Sequence, residues 1–277
     1  MNKLSIQRRS QIIKTLVEGN SIRATYRMTD TAKGTVTRLL VDVGTACARY
    51  QDEHLRDLTC RRIQCDEIWS FVYSKQKNVP QDKRDFAGDA WTWVAMDADT
   101  KLVPSWLVGL RDAGYAHELM TDLASRLSHH VQLTTDGLKS YLSAVEDAFG
   151  SDIDYAQLIK LYGADPTETQ RRYSPADCIG TKPNVIQGNP DPAHVSTSYI
   201  ERQNLTMRMS MRRFTRLTNG FSKKIENLEH AVALHFMWYN FARPHSSLGS
   251  LNTPAMAAGV ADHVWSAEEI IALTDSN

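Results

Sequence analysis

The stretch IQCDEIWSFVYS, residues 63–74, has the two-residue alternation and the aromatic and β-branched content of a strand, with two acids, Asp66 and Glu67, in its interior. Two further strands follow, AWTWVAMDAD (90–99) and KLVPSWLVGL (101–110), separated by a turn at Asp97–Thr100. A helix is expected over 115–128, a fourth strand at VQLTTD (131–136), a second helix at GLKSYLSAVEDAFG (137–150) and a fifth strand at DYAQLIKLY (154–162). A chain that lays down three strands in succession and then alternates strands with helices is constrained to a mixed α/β sheet with an opening antiparallel meander.

That element order is the order of the ribonuclease H and retroviral integrase-like fold, so the fold class expected is α/β, an RNase H-like core. Ahead of it the helical period dominates. Ile6, Ile12, Ile13, Leu16 and Val17 mark an amphipathic helix over 5–18, ended by Gly19-Asn20. Ser21 is placed to cap a short second helix, SIRATYRM, and the turn TDT leads to a third around AKGTVTRLLVDVG. Two short helices joined by three or four residues match a helix-turn-helix outline, with Lys33, Thr35, Thr37 and Arg38 near the start of the recognition helix, where they would touch bases or phosphates. The competing reading is a three-helix packing module with solvated charges.

The expected partition is a helix-turn-helix domain over 1–50, a polar linker or continuing helix over 51–61, the catalytic domain over 62–245 and a helical tail over 246–277. Within the catalytic domain, 162–197 breaks the rhythm with five prolines (166, 175, 183, 190 and 192) and reads as an irregular insert. Helical periodicity returns at SYIERQNLTMRMSMRRF (198–214) and KKIENLEHAVALHFMWYNFARP (223–244).

The formal net charge is zero, which conceals a pattern. Residues 1–62 carry 12 Lys/Arg against 6 Asp/Glu and residues 199–245 carry 8 against 3, flanking an acidic centre. Basic blocks neutralise phosphates and an acidic centre concentrates divalent metal, although charge segregation alone is weak evidence. No run of about 18 apolar residues is present, so no membrane partner is expected. MNKLSIQRRSQ lacks the apolar stretch of a secretory signal, which makes the cytoplasm the default location. Cys47, Cys60, Cys65 and Cys178 form no Cys-x-x-Cys pair and read as buried or idle thiols, not zinc ligands.

Phosphoryl transfer on DNA without a covalent intermediate calls for two metals about 4 Å apart, held by few carboxylates. An Asp inside one strand, a second at the end of a neighbouring strand and a Glu on a helix can meet that demand. Asp66, Asp136 and Glu201 occupy such positions. The segments DEIW (66–69), TTDGLKSY (134–141), YIERQNLTMRM (199–209) and GFSKKIENLEHAVALHFMWYN (220–240) resemble transposases of the insertion sequence 1 family, and SIRATYRMTDTAKGTVTRLL (21–40) resembles the region ahead of that family's catalytic domain.

The resemblance implies a D-D-E set at Asp66, Asp136 and Glu201 that holds two Mg²⁺, with Mn²⁺ as substitute. It implies double-stranded DNA partners, the element's terminal inverted repeats and target DNA, and a homodimer or higher homo-oligomer on the prokaryotic nucleoid. It also implies a basic residue two helical turns after the Glu, here Arg208. Glu201, Leu205, Arg208 and Arg212 share a helix face by spacing. Arg212, Arg213, Lys223, Lys224 and Arg243 are further DNA-contact candidates. Some members of that family begin with a cysteine-rich zinc-binding segment, whereas the sequence here opens at the helix-turn-helix segment, and the gap between Asp136 and Glu201 is long.

Blander readings stand beside these. A single Asp in a strand is more often a surface or turn acid than a ligand. Glu67 is an alternative to Asp66, although alternation turns the two to opposite faces. Trp69, Trp91, Trp93 and Trp106 read as core or sheet-face aromatics, His117, His129 and His130 as surface residues, and Arg243 and His245 as DNA contacts or local caps. The competing functions are a catalytically silent helix-turn-helix regulator and a nuclease acting on RNA–DNA hybrids.

Overall fold

The computed structural model describes residues 4–163, 178–215 and 218–275. Three helices open it: α1 (Ile6–Val17), α2 (Ile22–Thr29) and α3 (Lys33–His54). Ser5 and Ser21 cap the first two by accepting from the Arg8 and Ala24 N–H groups. The strands are β1 (Arg62–Val72), β2 (Gly88–Asp97), β3 (Ser105–Gly109), β4 (Gln132–Asp136), β5 (Asp154–Tyr162) and β6 (Cys178–Gln187). They form one mixed sheet in the order β3-β2-β1-β4-β5-β6. The β1–β2 and β2–β3 pairs are antiparallel, β1–β4 and β4–β5 parallel, and β5–β6 antiparallel.

Helices α4 (Ala113–Arg126) and α5 (Ser140–Phe149) form the crossovers around β4. Beyond the sheet come α6 (Ser198–Ser210), α7 (Ile225–Met237), α8 (Pro254–Ala257) and α9 (Ala267–Ala272). Trp93 on β2 is fully buried edge-on against Tyr141 of α5, while Trp106 on β3 stacks on Phe236 of α7. The sheet is therefore covered on both faces. No helix among the described residues is long and apolar enough to cross a membrane.

Four features depart from the sequence expectation. The third strand begins at Ser105, not at Lys101, because Pro104 has no N–H for a ladder. Helix α3 runs to His54, into the stretch left open between a polar linker and a continuing helix, because Cys47 and Gln51 continue its buried face. The chain after it is docked: Arg126, 7% exposed, donates to the Leu55 carbonyl at 3.2 Å, to Asp52 at 2.8 Å and to Asp122 at 2.7 Å. Part of the stretch read as an irregular insert is β6, whose Pro183 pairs with Leu158 on the sheet's edge, the one place where a strand tolerates proline. Pro166 and Pro175 lie outside the described residues.

The three N-terminal helices and the tail share one apolar core with the sheet, which runs from Ile12 through Leu40 and Trp93 to Ile271. Arg9 reaches Asp275 at 3.3 Å and Lys14 reaches Glu268 at 3.7 Å, which fastens the tail to α1. Helix α3 lies directly on α7. A Cβ added at Gly44 would stand 2.5 Å from the His230 Cβ and 2.6 Å from its carbonyl oxygen, so only glycine permits this approach. Gly44→Ala should therefore lower stability in urea denaturation by about 1–3 kcal/mol through overpacking. Gly34→Ala, whose added methyl meets nothing within 4 Å, should be neutral or slightly stabilising.

Candidate active site

Strand β1 carries the first element of the site. Its register with β4 ends at the pair Cys65–Thr135, and β4 itself ends at Asp136. One residue further along β1, Asp66 has no strand neighbour on that side, so the sheet opens into a notch there. Asp66, Glu67 and Asp136 meet at this notch, each offering a carboxylate oxygen within 4.8 Å of the other two. Alternation holds along the strand: Asp66 turns toward α6, and Glu67 toward Arg111 and α5. The notch still brings both carboxylates to Asp136, so the two neighbours are not as separated as opposite faces alone would place them.

Each carboxylate is held differently. Asp66 Oδ1 accepts from the Glu67 N–H at 2.9 Å, and its Oδ2 accepts from Asn204 Nδ2 at 2.8 Å. Asp136 Oδ1 accepts from the Leu138 N–H at 2.9 Å, which leaves Oδ2 facing Arg111 Nη2 at 3.8 Å. The Glu67 side chain, 1% exposed, takes Arg111 Nε at 3.1 Å. The Arg111 guanidinium lies over the Trp91 ring, 4.8 Å from its centroid. The Tyr141 hydroxyl is close enough to Glu67 to oppose part of its shift but misses hydrogen-bond geometry, and both Glu67 Oε1 and that hydroxyl are buried without a partner.

Burial dominates the electrostatics here and like charges reinforce it. Burial, with Asp136 and Glu201 nearby, pushes the Asp66 carboxyl up to about 6 against the opposing Glu67 N–H and Lys160. Burial, with Asp136 and Asp66, pushes Glu67 up to about 7 despite Arg111. An all-oxygen set of crowded carboxylates is chemically suited to a hard divalent cation, whose charge would offset the repulsion.

Helix α6 is fixed to the same strand. Gln64, two residues before Asp66, uses its side-chain oxygen to accept from the N–H groups of Tyr199 at 3.0 Å and Ile200 at 3.1 Å, two of the free donors of the helix's first turn. Glu201 is the next residue, and Asn204 follows one turn later on the face that meets Asp66. Glu201 does not join the three-carboxylate cluster. Its Oε1 accepts from Thr197 Oγ1 at 2.6 Å and pairs with Lys160 Nζ of β5 at 2.7 Å. Partial burial pulls its carboxyl up, but these two partners outweigh that and hold it below the ordinary value.

The basic candidates lie elsewhere. Lys33 and Arg38 are exposed and Thr35 and Thr37 half-buried at the start of α3, with Lys33 over the Tyr26 ring at 5.5 Å. Arg208 is half-buried on α6. Arg212 is exposed but does not continue the Glu201 face, because α6 ends at Ser210 and a 3-10 turn carries Arg212–Phe214. Burial lowers Arg213 to about 10, and its Nε donates to Ser222 Oγ at 2.8 Å, so it is turned inward. Lys223 and Lys224 are exposed at the start of α7. Exposed Arg243 donates to Ser210 Oγ at 3.2 Å.

Sequence reasoning missed Arg111, Lys160, Gln64, Thr197 and Asn204. Asn204 was detectable, because it stands one helical turn after Glu201. Lys160 was a lone cation in the apolar run LIKLY. Arg111 left no local signal.

No protein-family model matches the chain, and no curated protein matches it. Among solved structures it is similar to the Mos1 transposase paired-end complex with left transposon end, at 12% identity over 56% of this chain and 60% of that one, with a TM-score of 0.24. It is also similar to the piggyBac transposase synaptic complex with hairpin DNA, at 11% identity over 97% of this chain and 69% of that one, with a TM-score of 0.39. The chain thus spans 60% of the length of the Mos1 chain. Overlaps this weak fix neither fold nor chemistry for this chain.

The raised carboxyls carry a pH signature. Folding favours the protonated forms of Asp66 and Glu67, so the stability tied to them is complete below about pH 4. It is lost as pH rises through about 6 and about 7. A divalent cation reverses the loss, because it binds the ionised forms. The thermal midpoint in Mg²⁺ should therefore exceed that in EDTA at pH 8, with the gap closing by pH 5. Equal midpoints with and without Mg²⁺ at both values would show that the notch is not a cation site.

Proposed function

We propose that this chain is a DNA transposase of the D-D-E type, built on an RNase H-like core and related to the insertion sequence 1 family. The observation that carries the reading is the notch, where Asp66 and Asp136 converge beside the first turn of α6 and its Glu201. In this reading Asp66 and Asp136 hold one divalent ion, and Glu201 completes the site for a second. Mg²⁺ is the expected ion and Mn²⁺ its substitute. When bound, the metal pair supplies an activated attacking oxygen and a stabilised leaving oxygen on the phosphodiester.

The chain's own residues do the rest. Gln64 sets the start of α6 against β1, and Asn204 orients the Asp66 carboxylate by donating to its Oδ2. Arg111 neutralises Glu67 and faces Asp136, which keeps the notch from carrying three uncompensated negative charges. Helices α2 and α3 act as the helix-turn-helix that binds the terminal inverted repeats through Lys33, Thr35, Thr37 and Arg38. Arg208, Arg212, Lys223, Lys224 and Arg243 lie along DNA near the cut, while Arg213, turned inward, supports that surface and does not touch it. Two element ends have to be held at once, so a homodimer or larger homo-oligomer is the working form.

Two experiments test the reading. A duplex carrying the terminal repeat that flanks the gene should be cleaved and joined in Mg²⁺, and Glu201→Gln should lower the rate by on the order of 10²–10³, as loss of one transition-state group does. Tight binding with no chemistry in either protein would assign the chain to regulation instead. For the helix-turn-helix, Lys33→Ala or Arg38→Ala should weaken duplex binding across sequences and reduce the salt slope of log K by about 1. An unchanged slope would remove α3 from the interface.

A further inference from the structure

The Lys160–Glu201 pair has no part in the reaction described above, yet with Thr197 it holds the Glu201 carboxylate. The helix that bears Glu201 is already docked: Gln64 holds its first turn and Asn204, three residues on, touches Asp66 at 2.8 Å. The Glu201 carboxylate stays outside the three-carboxylate cluster, with Oε1 occupied by both Lys160 Nζ at 2.7 Å and Thr197 Oγ1 at 2.6 Å. Glu67, inside the cluster, likewise has a cation of its own, Arg111. Asp66 alone of the four carboxylates touches no cation among the described residues. Glu67 in the notch and Glu201 beside it are thus each neutralised by a side chain from a neighbouring segment.

The two pairs differ in how readily they exchange. The Glu67 side chain is 1% exposed, whereas Glu201 and Lys160 are 42% and 30% exposed and open to solvent. A half-exposed ion pair between two flexible side chains is weak and separates at little cost. An ammonium and a divalent ion are alternative counterions for the same carboxylate oxygen, and a side-chain rotation on a fixed helix is enough to pass from one to the other.

We propose that Lys160 is a positioning residue that holds Glu201 as a stand-in for a divalent ion and gives up its carboxylate when that ion binds at the notch. The inference rests on the metal reading of the notch. It predicts that Lys160 competes with the ion through Glu201 in particular, not as a general background charge.

The test is a titration of the full chain with Mn²⁺ alone, followed by calorimetry. Lys160→Met should tighten Mn²⁺ binding about three- to fivefold, the range expected from loss of a half-exposed ion pair. The gain should vanish when Lys160→Met is made in the Glu201→Gln background, since the competitor then has nothing to release. Lys160→Arg, which keeps the charge and the reach, should bind Mn²⁺ as the wild type does and covers the case in which the Met variant does not fold. An equal gain with and without Glu201, or no gain at all, would overturn the proposal while leaving the metal site standing. Mn²⁺ binding that Asp66→Asn leaves intact, or no binding to the wild type, would overturn the metal reading and this proposal with it.

Discussion

The site depends on one side chain in a central strand. Gln64 is 3% exposed, and its carbonyl oxygen accepts two N–H groups from the first turn of α6. A helix start buried against a sheet has donors that must be paired, because leaving one unsatisfied costs about 1–3 kcal/mol. Gln64 meets that demand, and it stands two residues from Asp66 on the same face of β1. The strand that carries a carboxylate of the notch therefore also sets where the helix bearing Glu201 begins. Residues far apart in sequence are placed by a spacing of two.

Around that anchor the charges are arranged in compensated pairs. Burial drives Asp66 and Glu67 toward protonation, Arg111 opposes it at Glu67, and Lys160 opposes it at Glu201 and more distantly at Asp66. The result is a concentrated negative site in which Glu67 and Glu201 each have a cation of their own. A purely apolar notch would be more stable, since buried charges seldom repay their desolvation. Retaining three close carboxylates at that cost is what an ion-binding site requires.

The central strands were legible because their patterns are strong: β1, β2 and β4 are buried on both sides and read as alternating or continuous apolar runs, and Asp66 and Asp136 interrupt them visibly. The edge was not legible. Every residue of β6 except Gly180 and Gln187 is exposed, so the strand has no burial period to detect, and Pro183 argues against a strand unless the partner side is known. How far α3 continues was left open between a polar linker and a continuing helix, because the packing of Gly44 against α7 and the burial of Cys47 and Gln51 are tertiary facts. In the site, the acids were visible, and of their partners only Asn204, one turn after Glu201, left a readable spacing. Arg111, Lys160 and Gln64 acquire their roles only through tertiary placement, which no local spacing encodes.

The shared core has a mechanical meaning. Ile12, Val36 and Leu40 of the N-terminal helices pack into the same apolar body as the sheet, and Gly19, between α1 and α2, lies so close to the Met209 carbonyl that a Cβ there would stand 2.8 Å from it. The far end of α6 therefore abuts the N-terminal helices while its near end sits at the notch. The N-terminal helices, α6 and the sheet are thus parts of one packed body, in which a change of side-chain volume at one end is felt through the shared core.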